Sequence, residues 1–406
     1  MTRIPDRYSL FVSDLFLYHG GVSDYTDNFA KQLFEKNRLK SVITPFPTDV
    51  KREYGIRRFN LNPKRKPSYI DKWWIGSKLV TFIYYCRLYF YSYRGLKKLK
   101  LEKENDCLIF TEYYTFQFDI IVFMTRLLGI RYAIIFHGLD LLCSKGPGFN
   151  HFDKNFTKAD FIIYNSEATR SLALEFVQLK GRHEMILYPG IDLPELEKYL
   201  GTDLSSESYA KSKDGITFST VSRLVKRKGI DLAIRIVYQV AKSHTSIRYF
   251  IAGSGEEEGK LRDLVKLLNA GGYIHFLGDI SNEDKYALLR KSDYFLLPNH
   301  SVGNADFEGF GISCIEASFF GNIVIAGNHG GVKEAVLNGT TGFLFDFDDP
   351  SSIESAIESI DKCIENEDLR KRISKQGVEY VKSTYAWNKL IDHFIQCERE
   401  IFVASN

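Results

Sequence analysis

Two carboxylates, Glu308 and Glu316, stand eight positions apart and are the residues of this chain whose spacing points most directly to chemistry. An α-helix turns once in about 3.6 residues, so the two side chains reach one place only if Glu308 lies in a loop and Glu316 in the helix that follows. That helix would begin near Gly311 and present unpaired backbone N–H groups, which bind phosphate. The pattern predicts a site for a ligand with phosphate and hydroxyl groups, such as a nucleotide-diphosphate sugar.

Two cations, Arg223 and Lys228, follow an apolar run at Ile216 to Val221 that is typical of a buried strand. Cations in a loop at the end of a strand can neutralise a diphosphate and stabilise it as a leaving group. An exposed basic turn is the alternative. The position of the loop, upstream of Glu308, favours the diphosphate interpretation.

His137 ends a strand-like run of the first half and is followed by Gly138. A histidine in this position can hydrogen-bond a sugar hydroxyl or polarise a reacting centre. A structural histidine is the ordinary alternative. Asp140, three residues on, is better suited to bracing or capping the loop than to acid–base work.

Two glycine pairs each lie in a loop after a strand-like run. Gly253 and Gly255 form a Gly-x-Gly turn, and Gly20 and Gly21 lie in the first such loop of the chain. Glycine lets a backbone approach a phosphate closely. Simple tight turns are the alternative at both places, because neither pair completes a dinucleotide-binding fingerprint.

Alternating strand-like and helix-like segments run through the whole sequence in two series, as expected for an α/β protein with a doubly wound parallel sheet in each half. The predicted strands are Leu10 to Val12, Cys107 to Phe110, Tyr132 to Phe136, Phe161 to Tyr164, Met185 to Tyr188, Ile216 to Val221, Arg248 to Ala252, Ile274 to Leu277, Tyr294 to Leu297 and Ile323 to Ala326. Ligands bind such sheets at the carboxyl ends of the strands. The cleft between the halves is therefore the expected active site.

The predicted domains are an N-terminal acceptor-binding domain at 1–200 and a C-terminal donor-binding domain at 215–384. Between them, residues 201–214 are rich in serine and lysine and resemble a linker. The charged helical segment at about 385–406 is expected to pack back onto the first domain.

The bulk composition is that of a folded protein of 406 residues, with 44% hydrophobic and 26% charged residues. Its six cysteines are scattered without a C-x-x-C pair, so they are expected to be reduced and to form neither a zinc site nor a disulfide framework. The N-terminus does not have the pattern of a signal peptide. These features predict a cytoplasmic protein.

The net charge of +3 hides a strongly basic segment, because residues 51–100 contain 14 Lys and Arg against two acidic residues and many aromatic ones. Such a segment can be a solvated surface with a core helix, a surface that rests on anionic lipid at the inner face of the plasma membrane, or a nucleic-acid patch. It is too interrupted to span a membrane, because Lys78, Arg87 and Arg94 break its apolar run.

In this order, the motifs resemble the family 4 retaining glycosyltransferases, which have the GT-B fold of two facing Rossmann-like domains with an interdomain cleft. The resemblance covers nearly the whole chain, and the glutamate pair with its Arg/Lys pair is the specific part. The matching segments are Gly20-Gly21, His137-Gly138-Leu139-Asp140, Tyr188-Pro189-Gly190-Ile191-Asp192, Arg223 with Lys228-Gly229, Gly253-Ser254-Gly255, Leu297-Pro298, and Glu308 with Glu316.

The resemblance implies a role for each matching residue. Arg223 and Lys228 would hold the donor diphosphate, Glu316 would bind the ribose hydroxyls, and Glu308 would contact the donor sugar. His137 would lie near the 6-hydroxyl of that sugar. The further residues implied in donor binding are Gly20, Gly21, Gly253, Gly255, Gly309, Phe310, Gly311 and Ile312.

The resemblance also implies a chemistry without a metal or other cofactor, because the two cations and the helix N-terminus take over the charge. The departing phosphate oxygen would accept the proton of the acceptor during attack on the same face of the sugar. The loop at 304–311 is most similar to members that use GDP-mannose on lipid acceptors, although users of UDP-sugars share the core motif.

The favoured hypothesis is a hexosyltransferase that acts on a glycan or lipid-linked acceptor in cell-surface polysaccharide biosynthesis, without binding nucleic acid. Two alternatives stay open. One is a nucleotide-sugar epimerase or hydrolase on the same fold, and the other is a non-catalytic protein that binds nucleic acid or a membrane surface.

Overall fold

A computed structural model describes residues 4–12, 20–44, 52–54, 56–58, 89–98, 106–113, 116–144, 151–175, 183–201, 215–303 and 307–403. The chain divides into two compact units. The first comprises Met1–Asn165, Thr169–Leu187 and Ile391–Asn406, and the second comprises Ser166–Ala168 and Tyr188–Leu390.

The first unit contains a parallel sheet of seven strands in the order β3-β2-β1-β4-β5-β6-β7. The strands are β1 (Tyr8–Phe11), β2 (Leu39–Thr44), β3 (Ile56–Arg58), β4 (Cys107–Phe110), β5 (Tyr132–Phe136), β6 (Phe161–Tyr164) and β7 (Glu184–Ile186). The helices are α1 (Gly21–Glu35), α2 (helical residues 89–98), α3 (Phe116–Leu127), α4 (Leu139–Cys143), α5 (Phe152–Thr157) and most of α6 (Glu167–Leu174).

The second unit contains a parallel sheet of six strands in the order β10-β9-β8-β11-β12-β13. The strands are β8 (Ile216–Val221), β9 (Ile247–Ala252), β10 (Ile274–Gly278), β11 (Tyr294–Leu297), β12 (Ile323–Gly327) and β13 (Gly342–Phe345). The helices are α7 (Leu193–Gly201), α8 (Ile230–Ser243), α9 (Glu258–Leu267), α10 (Asn282–Lys291), α11 (Ile312–Phe319), α12 (Val332–Ala335), α13 (Ser352–Glu365) and α14 (Glu367–Thr384); α15 (Trp387–Val403) begins here and continues into the first unit.

The central strands are continuous apolar runs because both faces of each sheet are covered by helices. In the first unit, every residue of β4, β5 and β6 is buried, and in the second unit the same is true of β11 and β12. Parallel sheets flanked by helices have no polar face, which explains the absence of alternation. The predicted α/β class with a doubly wound parallel sheet in each half is confirmed.

The boundary between the units lies before α7 rather than at residue 200. Tyr188–Leu390 belongs to the second unit because α7 packs on α10, where the rings of Tyr199 and Tyr286 are 5.0 Å apart. Arg290 also donates a hydrogen bond to the Tyr199 carbonyl at 2.8 Å. Of the predicted linker, residues 202–214 lie outside the described residues.

From Ile391 onward, the C-terminal helix α15 belongs to the first unit. A buried carboxylate holds it there. Glu398 accepts a hydrogen bond from the Tyr8 hydroxyl and pairs with Arg38 at 2.7 Å. Burial raises the pKa of Glu398, while Tyr8 and Arg38 act in the opposite direction. The Phe394 ring packs edge-on against Tyr8 at 5.6 Å. The last helix is therefore part of the core of the first unit.

Replacing Glu398 with alanine tests this attachment. The change leaves the buried Tyr8 hydroxyl without its acceptor and Arg38 without its partner, so we expect Glu398→Ala to lower the free energy of unfolding by about 2–4 kcal/mol. Urea unfolding followed by circular dichroism measures the difference.

The matched control is Asp392→Ala on the same helix. Asp392 pairs with Lys36 at 2.5 Å, but its side chain is 64% exposed. Exposed ion pairs contribute at most about 1 kcal/mol. Equal effects of the two substitutions would contradict the proposed difference between the buried and the exposed contact.

Candidate active site

The predicted residues of the second unit gather at the point where its sheet changes direction. The strand order reverses between β8 and β11, which are hydrogen-bonded neighbours. Arg223 and Lys228 follow β8, and Glu308 follows β11. Ligands of doubly wound sheets bind in the crevice at such a switch point. Two separate parts of the sequence are thus brought to one end of the sheet.

Glu308 and Lys228 are in direct contact. The Lys228 Nζ lies 2.6 Å from Glu308 Oε2, and the Nε of Arg227 lies 3.3 Å from the same oxygen. The three side chains are each only 10–11% exposed. Lys228 ends a single 3₁₀ turn (Lys226–Lys228), and Gly229 follows in the left-handed region at φ 63° before α8 begins. This tight turn directs both cations toward Glu308.

The pKa of Glu308 is set by a competition between burial and these cations. Burial alone would raise the pKa, because a carboxylate loses hydration inside the protein. Lys228 and Arg227 outweigh burial, so the pKa of Glu308 lies below its ordinary value. Glu308 is therefore a carboxylate at neutral pH and accepts hydrogen bonds without donating them. This is the state needed to hold hydroxyl groups.

Glu316 has a cationic partner of its own. It lies in the second turn of α11, and its Oε1 is 2.7 Å from the Nζ of Lys285 in α10. Both side chains are 11% exposed. A carboxylate buried to this degree needs a counter-charge. Each glutamate of the pair is thus balanced by a cation from another part of the chain, Glu308 by Lys228 and Glu316 by Lys285.

Helix α11 begins where the sequence predicted. Its N-cap is Gly311, in the left-handed region at φ 92°. In the first turn, the buried thiol of Cys314 has its pKa raised, first by burial, then with Lys228 lowering it and with Glu308 and Glu316 raising it. Both glutamates and Lys228 therefore lie around the first turns of this helix. A ligand at the helix start would meet all three charges.

The loop between the glutamates contributes mainly backbone. Phe310 is buried, and its ring packs on Tyr188 at 5.7 Å and on Tyr385 at 5.3 Å. Its side chain belongs to the core, so only its backbone is available to a ligand. Gly309 packs closely against Gly331, where a Cβ would lie 2.0 Å from the Gly309 carbonyl oxygen. The loop is thereby held in one conformation.

Arg223 differs from the other cations because its side chain is exposed and has no acidic partner among the described residues. The backbone around Arg223 packs against the Gly-x-Gly turn formed by Gly253 and Gly255. Leu224 N–H donates to the Ser254 carbonyl at 2.8 Å, and Gly253 N–H donates to the Gly278 carbonyl at 2.7 Å. The guanidinium is therefore available while its loop is firmly placed.

The glycines of this turn are required by close backbone approach. Gly253 has φ 122°, and a Cβ there would lie 1.9 Å from the Ser222 carbonyl oxygen. A Cβ on Gly255 would lie 2.3 Å from the Leu224 carbonyl oxygen. Both glycines support the Arg223 loop. Their predicted contact with the donor stays a prediction.

In the first unit, His137 directly follows β5 and is buried. Its Nε2 is 2.8 Å from the Thr111 carbonyl oxygen, which can only accept a hydrogen bond, so Nε2 carries the proton. Burial lowers the pKa of His137 to about 4, against the opposing effect of Thr111. The ring is therefore neutral at neutral pH, with Nδ1 as an acceptor. It can accept a hydroxyl hydrogen bond but does not supply a positive charge.

Asp140 braces the loop that carries His137. Its carboxyl group accepts hydrogen bonds from the backbone N–H groups of His137, Gly138 and Leu141 at 2.9–3.2 Å. Burial raises the pKa of Asp140 to about 7, and these backbone donors oppose the shift. Its position under the backbone matches the bracing role that the sequence suggested.

Gly20 and Gly21 stand at the start of α1, after β1. Gly20 is the N-cap residue in extended conformation, both glycines are exposed, and a Cβ on Gly20 would meet nothing within 4 Å. Sterically, Gly20 is not required by the fold of the described residues. The room beside it is consistent with the predicted ligand approach.

Two cations of the site, Arg227 and Lys285, were not identified from the sequence. Arg227 lies within the basic run Lys226 to Lys228, where the sequence does not show which side chain turns inward. The sequence offers one weak indication of Lys285: it is a lysine in the first turn of a helix, next to Glu283 and Asp284, where acidic residues are usual. Residues 304–306 of the loop that suggested GDP-mannose lie outside the described residues.

The described residues contain no group of three or more His, Cys, Asp or Glu side chains arranged to hold a metal ion. None of their helices combines the length and the apolar character that crossing a bilayer requires.

The sequence matches a known family in the second unit. Residues 202–380 match the model of the family described as glycosyl transferases group 1. An uncharacterised glycosyltransferase of Methanocaldococcus jannaschii is 25% identical over 92% of this chain and 93% of its own length. A GDP-mannose-dependent monoacylated alpha-(1-6)-phosphatidylinositol monomannoside mannosyltransferase of Corynebacterium glutamicum is 30% identical over 62% of this chain and 65% of its own.

Solved structures show the same fold. HepE of Anabaena, crystallised with UDP and glucose, aligns with a TM-score of 0.70 at 16% identity over 96% of this chain and 99% of its own. WaaG, a glycosyltransferase involved in lipopolysaccharide biosynthesis, aligns with a TM-score of 0.66 at 15% identity over 97% and 99%. The predicted GT-B fold is confirmed. Together, the comparisons show a chain with the fold of these glycosyltransferases, in which residues 202–380 match the group 1 family model.

Substituting Gly253 tests whether the glycine turn supports the site. A methyl group at this position would collide with the Ser222 carbonyl at a φ that side chains rarely adopt, so we expect Gly253→Ala to lower the unfolding temperature by several degrees. Differential scanning calorimetry measures the change.

The matched control is Gly259→Ala in α9, where a Cβ would meet nothing within 4 Å. Alanine favours a helix over glycine by about 1 kcal/mol, so this variant should be unchanged or more stable. An unchanged unfolding temperature for Gly253→Ala would contradict the close backbone contact.

Proposed function

We propose that this protein is a family 4, retaining, metal-independent glycosyltransferase that moves a hexosyl group from GDP-mannose or a UDP-sugar to a glycan or lipid-linked acceptor in cell-surface polysaccharide biosynthesis. The observation that carries the proposal is the meeting of Lys228, Glu308 and Glu316 around the first turns of α11. This arrangement offers cations and N–H groups to a diphosphate and carboxylates to hydroxyls.

Each group has a defined task in the proposed reaction. Arg223 and Lys228 neutralise the leaving diphosphate, together with the backbone N–H groups at the start of α11. Glu308 and Glu316 hold sugar and ribose hydroxyls as acceptors, and each carboxylate is balanced by a cation of the protein. The neutral His137 accepts a hydroxyl of the sugar. The acceptor's proton passes to the departing phosphate oxygen, so no protein base is needed.

The relatives support the donor and acceptor classes by their names. The Corynebacterium protein is a GDP-mannose-dependent enzyme that acts on a phosphatidylinositol mannoside. HepE was crystallised with UDP and glucose. A donor with a nucleoside diphosphate and a hexose is common to both, and a lipid-linked acceptor fits the first.

Donor binding is tested with the variant Arg223→Ala. The side chain is exposed and has no acidic partner among the described residues, so its removal should leave the unfolding temperature within about 1 °C of wild type. Loss of a charge-assisted contact to the diphosphate should weaken UDP or GDP about tenfold to hundredfold. A thermal-shift panel of UDP- and GDP-sugars first identifies the donor, and calorimetry then measures the affinity.

The control for this variant is Lys266→Ala, which removes an exposed cation from α9 in the same unit. It should bind the donor as wild type does. If no UDP- or GDP-sugar raises the stability of the wild type, or if Arg223→Ala binds as tightly as wild type, the proposed donor site is wrong.

Transfer itself should be lost in Arg223→Ala, Lys228→Ala and Glu316→Ala, and should survive EDTA. Nuclear magnetic resonance of the product would show the same anomeric configuration as in the donor. An altered or free sugar without an acceptor adduct, detected by mass spectrometry, would instead indicate an epimerase or hydrolase.

The proposed membrane contact rests on the basic segment 51–100, most of which lies outside the described residues. The described helix α2 exposes one face that carries Phe90, Tyr93, Arg94, Lys97 and Lys98. Phe90 is 53% and Tyr93 39% exposed, and Arg94 and Lys97 lie over these rings. Aromatic rings beside cations are suited to the headgroup region of an anionic bilayer.

Vesicle binding tests this surface. Wild type should sediment with phosphatidylserine-containing vesicles at low salt, and Phe90→Ser/Tyr93→Ser should reduce the partition coefficient at least about tenfold, since two apolar side chains no longer insert. Leu267→Ser is the control, because Leu267 is 79% exposed but lies in α9 of the other unit. Failure of wild type to bind anionic vesicles would remove the membrane proposal.

A further inference from the structure

Lys285 occupies a position that local rules disfavour. It is only 9% exposed, although lysine is seldom buried. It also lies one turn into α10, where the helix dipole favours anions and where Glu283 and Asp284 already stand. A buried cation at the positive end of a helix lowers stability unless another group compensates it. Such a conflict is typical of functional or strained sites.

The compensation comes from the site. The Nζ of Lys285 donates to Glu316 Oε1 at 2.7 Å and lies 4.6 Å from the centre of the Tyr286 ring. Glu316 is itself only 9% exposed. Among the described residues, Lys285 is the cation that pairs with Glu316, and the second carboxylate oxygen has no protein donor. The lysine thus fixes one oxygen, which can still accept a second hydrogen bond, and the other oxygen is open to a ligand.

We propose that Lys285 is a positioning residue that holds the Glu316 carboxylate for the two hydroxyls of the donor ribose. The inference rests on the proposed function, because it concerns how the donor is recognised. A pair of neighbouring hydroxyls needs an acceptor whose oxygens are both oriented and not protonated. Lys285 supplies the counter-charge and removes the rotational freedom of the side chain. It acts through Glu316 and not by contact with the nucleotide.

The experiment compares nucleotides with and without these hydroxyls. Calorimetry gives the affinities of wild type and Lys285→Met for UDP, GDP and their 2′,3′-dideoxy analogues. Wild type should prefer the ribonucleotide at least about tenfold, as hydrogen bonds to a charged group are worth that much. In Lys285→Met the preference should fall to within about threefold, while the affinity for the dideoxy analogue stays at the wild-type value.

The dideoxy arm separates a positioning role from a merely structural one. Equal weakening of both nucleotides, or an unchanged preference, would overturn the inference. If wild type binds neither nucleotide, the proposed function fails instead. Lys266→Met is the control, because it removes an exposed ion pair with Asp263 and should retain the full preference.

A second comparison applies if Lys285→Met does not fold, since it leaves Glu316 buried without its cation. Lys285→Met/Glu316→Gln removes both charges and is compared with Glu316→Gln alone. If Lys285 acts through Glu316, the two variants should have the same affinity for the ribonucleotide within about twofold. A further loss in the double variant would show a direct role for Lys285 and would contradict the positioning role.

Discussion

Two glutamates buried at the carboxyl end of a sheet impose an electrostatic constraint on the whole second unit. A buried carboxylate needs a counter-charge, and the cations that pair with these two come from different parts of the chain. Lys228 and Arg227 come from the turn after β8, and Lys285 comes from α10. The positions of that turn and of two helices are therefore tied to one pair of charges.

Backbone contacts fix the positions of the strand-end loops more closely than the charge pairs do. The strand-end loops after β8, β9, β11 and β12 touch one another in two pairs, with a glycine at each contact. The Gly253 turn touches the backbone of Ser222, and Gly330 touches that of Glu308. The Gly331 N–H also donates to the Glu308 carbonyl at 2.9 Å. The loops that carry the candidate-site side chains are thus supported by backbone contacts. Unlike side chains, the backbone has no alternative rotamers.

Much of this architecture can be predicted from the sequence, and there are physical reasons why the remaining elements and residues cannot. The strands β4, β5 and β6 are predicted with their observed bounds because strands covered on both faces are uninterrupted apolar runs. The strands β2, β3 and β13 are not predicted. β3 and β13 lie at sheet edges, where arginine or glycine is tolerated, and the apolar run of β2 is interrupted by Lys40 and Ser41. Glu308 and Lys228 are found because they belong to motifs, whereas Arg227 and Lys285 act through tertiary contacts that spacing does not encode. The burial of Phe310 likewise follows from packing on Tyr188 and Tyr385, which are distant in sequence.

The contact between Lys228 and Glu308 has a consequence for selectivity in a crowded solution. The lysine that is proposed to bind a donor phosphate already has an anion at 2.6 Å. Inorganic phosphate would have to displace that carboxylate and leave it only the longer contact with Arg227 at 3.3 Å. In the proposed pose, a complete donor instead gives its phosphate to the lysine and its sugar hydroxyls to the released glutamate. The Lys228–Glu308 pair would then disfavour the binding of small anions such as phosphate. It would open only for a ligand that carries both a phosphate and sugar hydroxyls.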